Sequence, residues 1–313
     1  MAKWKVIITD GLDDSGQAIL NAAAQVDNCI DIPGAELLNM IGAYDAMIVR
    51  GRTKVTPEVF SAAHHLKVVG RAGVGVDNIN LAAAAAKGVT VVNAPQSTTL
   101  AVAELTLALM LSLVRLVPQA DASMKTGQWA KKQLVGLELF GKTLGVIGVG
   151  NIGSAVAQRC TAMGMKVLGY DHEVADEIVQ QRGAEPVSFA ELLARSDFIS
   201  LHIPLTDESR NMIDGQTLAQ MKRGVRIIST ARGGIIDETA LLGALEAEQV
   251  SGAALDVFTK EPPGLTALVA HPNVIATPHI GAQTEEAQVR ASEDIASEVL
   301  AALRGAPLRW KIV

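Results

Sequence analysis

Three side chains of the sequence have the chemistry to hold an acid and move a proton, and each stands in a short turn just past an apolar run. Arg232 lies in Ser229-Thr-Ala-Arg-Gly-Gly-Ile-Ile-Asp, Glu261 in the turn after Ala254-Leu-Asp-Val-Phe, and His279 in Ala276-Thr-Pro-His-Ile-Gly-Ala. A guanidinium holds a carboxylate through two parallel hydrogen bonds and polarises a carbonyl beside it. An imidazole takes the proton of a hydroxyl in one direction and returns it in the other. A neighbouring carboxylate orients the ring and favours its protonated form. Singly, a helix-cap arginine, a surface glutamate and a core histidine are the commoner explanations, and sequence spacing alone does not bring the three together.

An acid/base of this kind works beside an electron carrier, and residues 142–154 have the pattern to bind one. Residues 143–147 read as a short buried strand, Gly148, Gly150 and Gly153 form G-x-G-x-x-G, and residues 152–163 have the apolar spacing of a helix. Strand, tight turn and helix in that order bring backbone N–H groups at a helix N-terminus against a dinucleotide pyrophosphate. Side chains at the glycines would block that approach. A second strand, 166–170, ends on Asp171, close to the offset of about twenty residues at which a carboxylate meets the adenosine ribose. That carboxylate accepts from a 2′-hydroxyl and repels a 2′-phosphate, so NAD is the expected cofactor.

The rest of the chain supplies the elements that must position these groups. Strand-like runs at 6–9, 29–32, 46–49, 66–70 and 89–92, with helical stretches at 15–24 and 57–63, predict a parallel sheet flanked by helices. Residues 98–117 are helical and apolar nearly all round, which requires burial between domains or against another subunit. Strands at 198–201, 225–229, 252–255 and 274–276, with helices at 217–222 and 238–247, extend the nucleotide unit. The last helix, 285–304, follows a loop rather than a strand and is expected to return to the first unit. The expected α/β fold is therefore two doubly wound parallel-sheet domains, a Rossmann unit over 98–285 inserted into a discontinuous flavodoxin-like unit over 1–97 and 286–313.

At 313 residues and 49% hydrophobic content, the chain is long enough for two cores. A net charge of −6 argues against a general nucleic-acid binder. Cys29 and Cys160 have no metal-ligand spacing and read as reduced thiols. No bound metal is expected. The N-terminus runs straight into a strand without a leader-like apolar stretch, so a cytoplasmic location is the default expectation. The longest apolar stretch, 99–118, is interrupted by Glu104 and Arg115 and is too short to span a bilayer.

Several blocks together resemble the D-isomer-specific 2-hydroxyacid dehydrogenases. They are Gly70-Arg-Ala-Gly-Val-Gly-Val-Asp-Asn, Glu138-Leu-Phe-Gly-Lys-Thr-Leu-Gly, Gly148 to Gly153, His202-Ile-Pro-Leu-Thr, Ala231-Arg-Gly-Gly, Leu255-Asp-Val-Phe, Glu261-Pro and Pro278-His-Ile-Gly-Ala, spread over essentially the whole chain. The resemblance implies that Arg232 anchors the substrate, Glu261 tunes the acid/base and His279 is that acid/base. It implies NAD contacts from Gly148, Gly150, Asn151, Ile152, Gly153, Asp171, Ile203, Pro204, Thr230, Ala231, Asp256, Gly281 and Ala282. For the substrate it implies Arg50, Gly51, Arg71, the Val74 and Gly75 amides, Arg232 and His279. It also implies a homodimer joined through the long apolar helix region.

The chain departs from the family pattern at Thr98, Val74 and Gly51, where relatives often carry asparagine, threonine and serine. His172 replaces a common proline after Asp171, which would relax discrimination against NADP. The sequence stops at Pro307-Leu-Arg-Trp-Lys-Ile-Val, without the regulatory domains of longer relatives, so feedback by serine is not expected. Arg50, Arg52, Lys54, Arg71, Lys131 and Lys132 are the cations able to line a cleft for a phosphorylated substrate. The expected activity is NAD-dependent oxidation of D-3-phosphoglycerate to 3-phosphohydroxypyruvate, a step of serine biosynthesis. The alternatives are general reduction of glyoxylate or hydroxypyruvate and, from another class, a non-enzymatic NAD-sensing protein.

Overall fold

The computed structural model describes residues 4–313. The chain forms two compact units, Met1–Thr98 with Ala282–Val313, and Thr99–Gly281.

In the first unit, β1 (Trp4–Ile8), β2 (Ala24–Asn28), β3 (Ala46–Val49), β4 (Val68–Arg71) and β5 (Thr90–Asn93) form a parallel sheet in the order β2-β1-β3-β4-β5. The apolar runs of β1 and β3 are continuous because helices cover both faces of the sheet, and Val6, Ile7, Ile8, Met47, Ile48 and Val49 are fully buried. The expected strand at 29–32 is instead loop. β2 lies just before it, because the helix Asp14–Asn21 ends early and the register Trp4↔Ala24 to Ile8↔Asn28 starts the strand at Ala24. β2 sits at the sheet edge and is half-exposed, so it lacks the apolar run that marks a central strand.

The helix Glu285–Leu303 closes this unit's core. A Cβ on Gly16 would stand 2.5 Å from the Ser292 carbonyl, and one on Gly70 would stand 2.5 Å from a Val299 methyl. These two glycines therefore set how closely the helix approaches the helix Asp14–Asn21 and β4. The chain then pairs antiparallel with the free edge of β5, through Ile312 N–H to the Val91 carbonyl and Asn93 N–H to the Trp310 carbonyl.

In the second unit, β6 (Thr143–Ile147), β7 (Lys166–Tyr170), β8 (Glu185–Pro186), β9 (Phe198–Leu201), β10 (Val225–Ser229), β11 (Val250–Leu255) and β12 (Val274–Ala276) form a parallel sheet. Its order is β12-β11-β10-β9-β6-β7-β8. The chain runs outward from β6 to β8, then returns to the other side of β6 at β9. Ligands of open α/β sheets bind at the carboxyl ends of strands flanking such a reversal.

The long apolar helix spans Thr99–Arg115 and breaks at Leu116, whose φ of 54° is left-handed. A second helix, Val117–Lys125, starts with Pro118 in its first turn, where the missing N–H and fixed φ are tolerated. Val102, Thr106, Leu109, Met110 and Leu113 are buried, while Leu100 and Leu111 on the same helix are exposed. Burial all round the helix is thus not achieved within its own unit. Among the described residues no single helix is long and apolar enough to cross a membrane.

Candidate active site

The glycine pattern folds as a phosphate-sized turn between β6 and the helix Asn151–Ala162. Gly148 has a φ of +90°, and a Cβ there would lie 2.6 Å from both the His202 carbonyl and an Ile203 methyl. The turn can therefore close against the strand end of β9. A Cβ on Gly153 would lie 1.9 Å from the Gly148 carbonyl, so the helix begins directly against the turn only because that position is bare. Beside Gly150, by contrast, a Cβ would meet no atom within 4 Å, and no side chain caps this helix start. The first-turn N–H groups of Asn151, Ile152 and Gly153 therefore face the room that a pyrophosphate needs.

Asp171, at the end of β7, accepts from Val149 N–H at 2.6 Å through Oδ2, and from Glu173 and Val174 N–H through Oδ1. A carboxylate has about four acceptor sites, so Oδ2 retains one for a ribose hydroxyl. The same turn is held from outside by the Arg182 guanidinium, which donates to the Val149 carbonyl. His202, whose Nε2 meets Ser200 Oγ at 2.8 Å, lies half-buried beside it with its ring turned inward, and desolvation pushes its pKa down to about 3. The bare glycines, the uncapped helix start and the remaining Asp171 acceptor fit a dinucleotide.

The acid/base candidates follow β10, β11 and β12 at the same end of the sheet. His279 Nδ1 meets Glu261 Oε2 at 2.8 Å, and Phe258 N–H donates to Glu261 Oε1 at 3.1 Å. A carboxylate accepts only, so the ring proton sits on Nδ1 and the Nε2 lone pair is the one available to a substrate. His279 has a φ of 53°, a left-handed conformation that costs a non-glycine residue about 1 kcal/mol or more. Buried Asp256 holds that turn: Oδ1 accepts from Thr277 Oγ1 at 2.6 Å and Ile280 N–H at 2.8 Å, and Oδ2 accepts from Gly281 N–H at 2.8 Å. Arg232 donates to the Ala231 carbonyl at 2.7 Å. Its neighbour Gly233 lies flat on the Phe258 carbonyl, 1.9 Å from where a Cβ would be, which sets the arginine's turn against the segment leading to Glu261.

Gly233, Phe258 and Thr277 are the organisers that sequence reasoning missed. The double glycine after Arg232 was the only visible trace of them. Thr230 Oγ1 meets Thr106 Oγ1 at 2.9 Å, and Thr106 also meets the Val102 carbonyl, so the Thr230 hydroxyl proton is already engaged. Ile203 and Pro204 follow β9, and Ala282 is the first residue of the chain's return to the other unit.

The remaining substrate candidates belong to the first unit, at the carboxyl ends of β3 and β4. Arg50 donates to Gln288 Oε1 at 3.0 Å, and its desolvation by burial pulls its pKa down. Gly51 follows it in the loop. Gly73, with a φ of +139°, leaves the space that the Arg71 guanidinium occupies, and Val74 is held by Asn93 Nδ2 on its carbonyl at 2.7 Å. Gly75 continues this turn. Arg52 is paired with Asp31 and Asp10, so its charge is compensated locally.

Residues 107–281 match the family model described as the D-isomer specific 2-hydroxyacid dehydrogenase, NAD binding domain. The chain is 48% identical over 305 residues to a D-3-phosphoglycerate dehydrogenase of Synechocystis sp., an alignment covering 97% of this chain and 55% of that protein. It spans about half the length of the curated relatives it matches. Among solved structures it is similar to a glyoxylate reductase from Paecilomyes thermophila, with a TM-score of 0.92, 30% identity and coverage of 100% and 99% of the two chains. It is also similar to a D-lactate dehydrogenase from Aquifex aeolicus complexed with NAD and lactic acid, with a TM-score of 0.84, 33% identity and 96% coverage of each chain.

Proposed function

The chain belongs to the D-isomer-specific 2-hydroxyacid dehydrogenase family, and within it we propose that the protein oxidises D-3-phosphoglycerate to 3-phosphohydroxypyruvate as a step of serine biosynthesis. The observation that carries the chemistry is the Glu261–His279 pair, 2.8 Å apart and fixed from behind by Phe258 N–H. Bound NAD supplies the hydride acceptor. Glu261 keeps the ring oriented and offsets its charge once His279 Nε2 has taken the hydroxyl proton. Arg232 binds the substrate carboxylate through its paired N–H groups. The Gly148 turn and the helix start at Asn151 hold the pyrophosphate, and Asp171 takes the ribose hydroxyl.

The substrate assignment draws on the 48% identity to a D-3-phosphoglycerate dehydrogenase. A second reading, reduction of glyoxylate or hydroxypyruvate, is favoured by the loss of Arg52 from the free cations and by the likeness to a glyoxylate reductase. NADH formation with D-3-phosphoglycerate, run beside NADH consumption with hydroxypyruvate and glyoxylate, decides between them. Efficient phosphoglycerate turnover supports the first, and turnover of only the unphosphorylated acids supports the second.

A cytoplasmic homodimer completes the proposal. Trp129, Val135 and Phe140 of the second unit are exposed by 79%, 81% and 77%, large apolar side chains that a second copy could cover. Sedimentation of the purified chain tests the dimer.

A further inference from the structure

At the amino ends of β6, β9 and β10, opposite the nucleotide turn, lies a small cavity of about 90 Å³. Lys142, Lys222, Arg223 and Arg226 line it against a single carboxylate, Asp197. In a chain with a net charge of −6, this is a local inversion of sign.

The lone acid does not neutralise the site. Asp197 Oδ2 accepts from Thr143 N–H at 2.8 Å, and Oδ1 accepts from Lys222 Nζ at 3.0 Å. Arg223 has only Glu248 nearby, at 3.8 Å with both side chains solvated. Arg226 is half-buried, donates one N–H to the Gly224 carbonyl at 3.3 Å and lies over Phe198 at 5.9 Å, and among the described residues no carboxylate is within ion-pair distance of it. Its desolvation by burial pulls its pKa down. A guanidinium withdrawn from water without an anion is unfavourable and gains from one. The cavity has room for several waters, enough for one phosphate group.

We propose that this cavity is an anion site, separate from the cofactor and acid/base groups, that takes a doubly charged tetrahedral oxyanion, either free phosphate or the phosphate group of a small ester. Three adjacent strands connect it to the other end of the sheet. Their amino ends carry Lys142, Asp197 and the Lys222–Arg226 turn, and their carboxyl ends lead into Gly148, His202 and Arg232. An anion bound here therefore bears on the strands that carry the reacting groups without touching them.

The test is a titration of the full chain with inorganic phosphate, with glycerol 3-phosphate and with sodium chloride at matched ionic strength. It is read by the backbone amide resonances of Gly224 and Val225 and by the thermal midpoint. Phosphate or the ester, but not chloride, is expected to shift those amides saturably and raise the midpoint. The tighter of the two identifies the source. R226M is expected to be at least as stable as the wild type without phosphate, because the unpaired cation is gone, and to need at least about tenfold more anion for the same shift. K142Q, at a more solvated position, is expected to weaken binding too. Unmoved amides at 224 and 225, or shifts that survive in the R226M/K142Q double variant, would overturn the site; shifts confined to the Gly148 and Arg232 turns would place phosphate only among the cofactor and substrate groups.

Discussion

The nucleotide turn and the acid/base turn stand at the same end of one sheet, but they are built from opposite materials. The Gly148–Gly153 turn works through backbone: bare positions, a left-handed φ and unpaired amides at a helix start. The Glu261–His279 turn works through side chains and adjacent amides drawn from two separate strand ends: Asp256, Phe258 N–H and Thr277 hold the two reacting groups. A backbone site tolerates change in every residue except those whose side chain would fill it. A side-chain site fails by degrees, member by member.

The sharpest test of that difference is His279→Ala, expected to lower kcat by about 10²- to 10⁴-fold while NADH fluorescence titration gives an unchanged affinity. Loss of both together would show that the two turns are one unit. Glu261→Gln is expected to reduce kcat about ten- to a hundredfold with little change in KM, since the ring loses the charge that offsets its protonated form but the substrate anchor stays. On the other side of the comparison, Gly153→Ala drives a methyl into the Gly148 carbonyl and is expected to weaken NADH at least about tenfold. Hydride transfer at saturating cofactor should be much less affected.

Thr277→Val removes one hydrogen bond to Asp256 and is expected to destabilise the chain by about 1 kcal/mol in urea unfolding, with a few-fold loss of kcat. The smallest effect at neutral pH comes from His202. Its folded pKa, about 3, lies below the unfolded 6.5, so between those values the unfolded chain binds more protons. The stability this burial contributes is complete above pH 6.5 and is lost as pH falls toward 3. Unfolding midpoints of wild type and His202→Gln should therefore differ in slope below pH 6.5 and run parallel above it.

The same contrast explains what was legible in the sequence. β6, β7, β9, β10 and β12 could be read to the residue, because each is a mostly apolar run bounded by glycine, a polar or charged residue or proline, and all but β12 are largely buried. β2 could not, since an edge strand with Gln25 and Asp27 carries no such run, and the two-residue β8 is set by pairing with β7 alone. The helix break at Leu116 had a visible cause in Pro118, yet uniform apolarity hid it. In the site, glycine spacing displayed the backbone turn outright. Asp256 reads from sequence as a cofactor contact, and its oxygens also hold the His279 turn, a pairing across twenty-odd residues that no local pattern announces.

The helix Glu285–Leu303 has a consequence for the order of events during synthesis. Ile295, Val299 and Leu300 complete the core against β1, β3, β4 and β5, so that sheet lacks one covering face until the ribosome has released residues far downstream of it. The inserted unit, Thr99–Gly281, contains all its own strands and has its full core available earlier. The first strands made are therefore among the last to be sealed, and the segment containing β1 to β5 must wait, with apolar surface uncovered, while its insert folds.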